Sequence, residues 1–204
     1  YTGYQFGHYS RIKEGEPSLY IHPKHKLGED HLRWNWQTPI IISRHQEDVL
    51  YMGSNMFHRS LDQGETWEAM SEDLTNGGKK GDVPHGTLTV IHESPIHFGW
   101  ICVGSDDGLV HVSKDGGQSW TNCSKGLPQG LWISEVMWSN FDNNTIFVSC
   151  NGYREDHFDA YLYRSINAGK SWERIGMNLP KEPVNCIIID QKNPNLLFVG
   201  TDHG

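Results

Sequence analysis

SLDQGETW at 60–67, SKDGGQSW at 113–120 and SINAGKSW at 165–172 are three versions of one eight-residue stretch, and their spacing decides the fold. They begin at 60, 113 and 165, so the chain repeats at intervals of 53 and 52 residues. A period of that size marks a supersecondary unit that cannot bury its apolar face alone and stacks on copies of itself. In each copy Ser stands first, Asp or Asn third, Gly fifth, Ser or Thr seventh and Trp eighth. A tight hairpin asks for those residues. The Asp or Asn side chain accepts from backbone N–H groups two residues on, and Gly supplies a positive φ without a Cβ clash. The Trp opens the returning strand, where its ring can pack into the seam between units.

The flanking residues align as well. PIIISRHQEDVLYMGSNMFHRS from Pro39, LTVIHESPIHFGWICVGSDDGLVHVS from Leu88 and SEVMWSNFDNNTIFVSCNGYREDHFDAYLYRS from Ser134 each read as strand A, a polar turn, strand B, a variable loop and strand C. The hairpin and strand D follow. VNCIIIDQKNPNLLFVGTDHG from Val184 is a fourth copy that stops after its second strand. Four antiparallel strands every ~50 residues predict an all-β chain built of β-propeller blades. A β-sandwich would also be all-β, but it shows no such self-similarity. The expected units are whole blades at 39–87, 88–133 and 134–183 and a partial blade at 184–204. Residues 1–38 are a partial blade and a connection, with TGYQFGHYSRI and SLYIHP as its last two strands. The expectation is a segment of about four blades from a longer protein, whose remaining blades are its first partners.

The bulk composition narrows the function classes. Of 204 residues 36% are hydrophobic, with 8 Trp, 8 Tyr and 7 Phe, which is material for a sizeable core. The longest apolar runs fall far short of the roughly 20 residues that span a bilayer, so no membrane insertion is expected. Seventeen basic against 25 acidic residues give a net charge of −8, and no basic cluster is denser than Lys79 and Lys80. A surface that tracks phosphates is therefore not expected, and neither is nucleic acid as a partner. The cysteines at 102, 123, 150 and 186 form no CxxC pair and show no metal-ligand spacing; they are expected as unpaired core thiols.

The hairpin residues resemble the Asp-box, or BNR repeat, SxDxGxTW. Ser60, Asp62, Gly64, Thr66 and Trp67 meet it in full. Ser113, Asp115, Gly117, Ser119 and Trp120 replace Thr by Ser, and Ser165, Asn167, Gly169, Ser171 and Trp172 also replace Asp by Asn. Beyond the boxes, LRWNWQTPIIIS (32–43), LYMGSNMFHRSLDQGETWEAMSEDLT (50–75) and PVNCIIIDQKNPNLLFVGTDHG (183–204) are similar to large secreted bacterial proteins labelled as BNR-repeat glycosyl hydrolases or sortilin-like propellers. The resemblance implies a structural role for the box at the blade periphery. It also implies a secreted or periplasmic module that binds a glycan or a protein partner. The alternative it carries is a glycoside hydrolase acting on a polysaccharide. Because the third copy tolerates Asn167, the box acid is expected as a hydrogen-bond acceptor and not as a general acid or nucleophile.

Ligand chemistry belongs instead to the B–C and D–A loops, which open together on one face of a propeller. The richest is NGYREDHFDA (151–160), beside Asp106 and Asp107 of the neighbouring blade. Glycoside hydrolysis needs two carboxyls ~5 Å apart for retention or ~6.5–9.5 Å for inversion, so Asp106 or Asp107 with Glu155 or Asp156 is the candidate catalytic pairing. The bland reading of these acids is as turn formers and solvated charges. Trp34, Trp36, Trp132 and Tyr153, with Arg154 and His157, are the candidate ligand-binding residues, since exposed rings form stacking platforms. The same tryptophans also suit blade packing. His22, His25, His31 and Asp30 share one loop, but zinc needs three or four convergent ligands. No metal site and no cofactor is expected.

Overall fold

A computed structural model describes residues 1–81 and 83–204. Its strands form five antiparallel sheets in chain order. The first contains β1 (Thr2–Tyr4), β2 (His8–Arg11) and β3 (Leu19–Ile21), and the second β4 (Ile40–Ile42), β5 (Leu50–Gly53), β6 (Phe57–Ser60) and β7 (Glu68–Ala69). The third holds β8 (Leu88–Glu93), β9 (Ile101–Ser105), β10 (Val110–Ser113) and β11 (Thr121–Asn122). The fourth holds β12 (Trp132–Trp138), β13 (Ile146–Gly152), β14 (His157–Ser165) and β15 (Glu173–Ile175), and the fifth β16 (Cys186–Ile189) and β17 (Leu197–Gly200). Among the described residues a single 3-10 turn, Tyr153–Glu155, interrupts the all-β pattern. Among the described residues no helix is long and apolar enough to cross a membrane.

The first strands β4, β8, β12 and β16 neighbour one another in turn, so they line the inside of a radial stack of sheets. Side chains clip these inner strands together: the Thr89 hydroxyl donates to the Ile133 carbonyl at 2.6 Å, and the Ser134 hydroxyl to the Val184 carbonyl at 2.6 Å. Each of three apolar clusters lies between two successive sheets. Tyr51 and Phe57 meet Leu88 and Val103, Val90 and Cys102 meet Ile133 and Val148, and Phe147 and Leu162 meet Ile187 and Ile189. The second strands β5 and β9 are buried along their whole length because neighbouring sheets cover both faces, whereas the peripheral strands β7 and β11 are exposed.

The hairpins add a second kind of contact at the seams. A Cβ on Gly64 would lie 2.7 Å from Ile21 of the preceding sheet, one on Gly117 2.9 Å from Met70, and one on Gly169 2.8 Å from Cys123. The Trp120 indole N–H donates to the Met70 carbonyl at 3.0 Å, and that of Trp172 to the Cys123 carbonyl at 2.7 Å. The repeated Gly therefore docks each hairpin onto its predecessor, and in the second and third copies the Trp N–H adds a bond, whereas the Trp67 indole N–H of the first is buried without a partner.

Two expectations need correction. TGYQFGHYSRI is not one strand but two, because Phe6 and Gly7 both adopt positive φ and reverse the chain between β1 and β2. The first sheet consequently has three strands. Cys102, Cys123 and Cys150 are buried thiols, but Cys186 on β16 is exposed.

Candidate functional site

The hairpin geometry fixes the role of its acid. In the second copy Asp115 Oδ1 accepts from the Ser113 hydroxyl at 2.8 Å and the Ser119 N–H at 2.9 Å, while Oδ2 accepts from the Ser119 hydroxyl at 2.5 Å. Asp62 makes the same three contacts with Ser60 and Thr66. In the third copy Asn167 Oδ1 keeps two of them, and the third bond reverses: Asn167 Nδ2 donates to the Ser171 oxygen at 2.8 Å. The hairpin needs a planar group that accepts at one oxygen, and it is indifferent to the direction of the last bond.

Asp106 and Asp107, in the loop after β9, are only 6% and 5% exposed. Asp106 Oδ1 accepts from the N–H groups of Gly86 and Thr87 at 2.8 and 3.0 Å, and its Oδ2 from the Thr87 hydroxyl at 2.6 Å. Asp107 accepts from the Ser105 hydroxyl at 2.5 Å and the Asn76 N–H at 2.6 Å. Both fasten the 71–87 connection onto β9. Glu155 ends the exposed 3-10 turn and Asp156 caps it, also exposed. The expected pairing is therefore corrected: one side is buried in a turn and the other is solvated, so the two sides do not present two free carboxyls to one cleft.

The residues that do converge line a cleft of about 420 Å³ at the end of the fourth sheet: Trp132, Asn151, Tyr153, Arg154 and Asp202. Trp132 opens β12, Asn151 lies near the end of β13, Tyr153 and Arg154 form the 3-10 turn, and Asp202 follows β17. The Arg154 guanidinium lies 4.4 Å from the Trp132 ring centroid, a cation–π contact that orients both groups. Tyr153 is 62% exposed. Asn151 Nδ2 donates to Asn185 Oδ1 at 2.7 Å, and Asn185 Nδ2 to Asp202 Oδ1 at 2.8 Å, so a chain of amides ties the fourth sheet to the fifth. Asn151 Oδ1 in turn accepts from the Tyr153 N–H at 2.9 Å, which sets the turn.

Three of the sequence-named ligand residues, Trp132, Tyr153 and Arg154, thus share one cleft. The others do not join them. Trp34 lies between His22, whose ring is tilted against it at 4.8 Å, and His58, which stacks on it at 5.8 Å. Trp36 is exposed but packs edge-on to Phe6 at 5.4 Å. His157 pairs with the Tyr161 hydroxyl at 3.2 Å. Reading the loops one at a time missed Asn151, Asn185 and Asp202. Asp202 holds the place after β17 that Asp106 holds after β9, a correspondence visible in GTDHG against GSDDG. Glu135 on β12 was missed as well; burial pushes its carboxyl up to about 7.

No protein-family model and no curated protein matches the chain. Solved structures do. A GH74 xyloglucanase from Xanthomonas campestris superposes with a TM-score of 0.65 at 20% identity over 90% of this chain and 29% of its own. An ancestral GH74 enzyme gives 0.63 at 20% identity over 82% and 22%, and a GH74 enzyme from Niastella koreensis 0.62 at 19% over 80% and 24%. The chain has a β-propeller fold. It spans less than a third of these chains, and at such identity the likeness speaks to the fold alone.

Proposed function

We propose that this propeller binds a glycan through the cleft of Trp132, Asn151, Tyr153, Arg154 and Asp202, as part of a larger extracytoplasmic protein whose hairpins are Asp-boxes. The observation that carries the reading is the lining itself. An exposed phenol ring and a guanidinium-capped indole flank an ordered row of amides and a carboxylate. Sugars offer the matching surfaces: apolar C–H faces for rings, and hydroxyls for planar donors and acceptors. One solved protein of this fold is named a xyloglucanase, which makes neutral polysaccharides the first class to examine.

The alternative, a glycoside hydrolase, is favoured by one feature, the carboxylate of Asp202 at the cleft edge. It also requires a second carboxyl, and the described lining offers none. A polysaccharide panel that includes xyloglucan, assayed for binding and for release of reducing ends, separates the readings. Binding without release, weakened about tenfold (~1.4 kcal/mol) by Tyr153→Ala and by Asn151→Ala, is the expected result. Release abolished by Asp202→Asn would establish the hydrolase. Binding indifferent to both the Tyr153 and the Asn151 changes would refute the assignment to this cleft.

A further inference from the structure

We propose that His85, Asp106 and Asp107 bind a divalent cation of the zinc or manganese class. One imidazole nitrogen and one oxygen of each carboxylate lie within 4.8 Å of one another. Bonds of about 2.0–2.2 Å place the ligands of a tetrahedral ion roughly 3.4 Å apart, so the three atoms must draw in by at most about 1.4 Å when an ion binds.

The surroundings support this use. The two aspartates are buried and held in place by their bonds to the 71–87 connection and to Ser105. Asp106 Oδ2 and both Asp107 oxygens each accept one such bond, and a carboxylate oxygen that accepts once retains a second lone pair. Among the described residues no Lys or Arg forms a salt bridge with either carboxylate. Arg33, the nearby base, is engaged by Asp73, Thr75 and the Gly86 carbonyl. The His85 Nδ1 atom is enclosed and has no hydrogen-bond partner, an arrangement that is costly unless something bonds to it. A dication balances two buried carboxylates and accepts an imidazole lone pair.

The donor set selects the ion class: imidazole suits zinc and its neighbours, and carboxylate suits manganese. Asp107 lines one cleft of about 410 Å³ and His85 another of about 410 Å³, so each of these two ligands lies beside open space. Three protein ligands leave a coordination position for water or a bound molecule. The spacing of 85, 106 and 107 matches no short metal motif, because two separate loops supply the ligands.

Calorimetric titration of the chelator-treated protein with ZnCl2 and with MnCl2 tests the proposal. The expected result is one ion per chain for at least one metal, with a melting temperature raised by about 5 °C or more at a hundredfold over Kd. Affinity should fall at least tenfold in His85→Ala and in the near-isosteric Asp107→Asn, and hold in His25→Ala/His31→Ala, which removes a close histidine pair elsewhere in the fold. It should also weaken in acid, because ligands must be deprotonated. No saturable binding up to 1 mM of either salt, or unchanged affinity in a folded His85→Ala, overturns the site. If a variant does not fold, the unaltered protein decides: Zn2+ should shift the NMR ring signals of a single histidine, and graded shifts of several would overturn the site.

Discussion

Glu93 ends β8 with its side chain wholly buried, and four donors converge on it. Its Oε2 accepts from the Ser43 hydroxyl at 2.7 Å and the Arg44 N–H at 2.8 Å; its Oε1 accepts from the Tyr51 hydroxyl at 2.9 Å and the Gly99 N–H at 3.1 Å. Three of the donors belong to the second sheet, so the carboxylate joins two blades. Burial, with the Glu93 carboxylate beside it, pushes the Tyr51 phenol up. Glu93→Gln turns one acceptor oxygen into a donor. Whichever way the amide lies, one hydroxyl can rotate to accept from it, but one backbone N–H, of Arg44 or of Gly99, is left buried without a partner. An orphaned donor costs about 1–3 kcal/mol, and the exchange of a charged for a neutral acceptor adds to it, so the expected loss is about 2–4 kcal/mol.

Tyr51→Phe removes a donor together with its need for a partner and should cost about 1–2 kcal/mol. Because the two side chains bond directly, the double variant should be less destabilised than the sum of the single ones by about 1 kcal/mol. Urea unfolding at neutral pH, followed by tryptophan fluorescence, measures all three variants. Glu93→Gln within 0.5 kcal/mol of the parent, or strict additivity with Tyr51→Phe, would refute the picture of a shared acceptor between blades.

Three further outcomes follow from the same geometry. Asp115 is held below its ordinary value, chiefly by the Ser119 hydroxyl. Its contribution is therefore full above about pH 3.9 and lost as the pH falls through the lower folded value. Asp115→Asn, which copies Asn167, should cost under ~0.5 kcal/mol and flatten that acid limb, whereas Asp115→Ala should cost about 1–2 kcal/mol, both read by unfolding between pH 2 and 7. Gly117 and Gly126 share φ values of +94° and +98°, but a Cβ at 117 meets Met70 at 2.9 Å and one at 126 meets only Trp172 at 3.8 Å. Gly126→Ala should cost about 1–2 kcal/mol from the backbone alone and Gly117→Ala at least 1 kcal/mol more; equal losses would show that the seam yields. Glu135, with its carboxyl pushed up to about 7 by burial, favours the folded state when protonated. Stability should decline as the pH rises from the ordinary Glu range through 7, and Glu135→Gln should remove that decline in a pH series of melting curves.

The fold was legible because its evidence is local and repeated. Eight residues carry the turn, the glycine notch and the docking Trp, so each copy states the same blade on its own. What failed at the N-terminus was the reversal at Phe6 and Gly7, where only one glycine marks a turn that needs two left-handed residues. The cleft was half legible. Trp132, Tyr153 and Arg154 stood out by residue type, but Trp34 and Trp36 stood out for the same reason and pack elsewhere, since a ring that stacks on a ligand and one that stacks on His58 look alike in sequence. The acids were misjudged because Asp106 and Asp202 occupy equivalent places and differ only in what covers them. The 71–87 connection buries Asp106, whereas Asp202 stays exposed beside Asn185.

The position of the cleft has a physical reason in the repeat itself. β10 and β14 both end at the hairpin serine, Ser113 and Ser165, so any difference in strand length must project on the opposite face. β13 has 7 residues against 5 in β9, and β14 has 9 against 4 in β10. Two extra residues at about 3.3 Å each already lift the Tyr153–Glu155 turn about 7 Å above the corresponding loop of the third sheet. The raised turn walls one side of the cleft, and the amides that run to Asp202 close the other. Stacking constrains the end of each blade that carries the box, because Gly and Trp there must fit the preceding sheet. The loop end bears no such constraint, so a blade can lengthen there without disturbing the seam. That freedom is why the cleft rises from the fourth sheet while the three hairpins at the far edge keep one geometry.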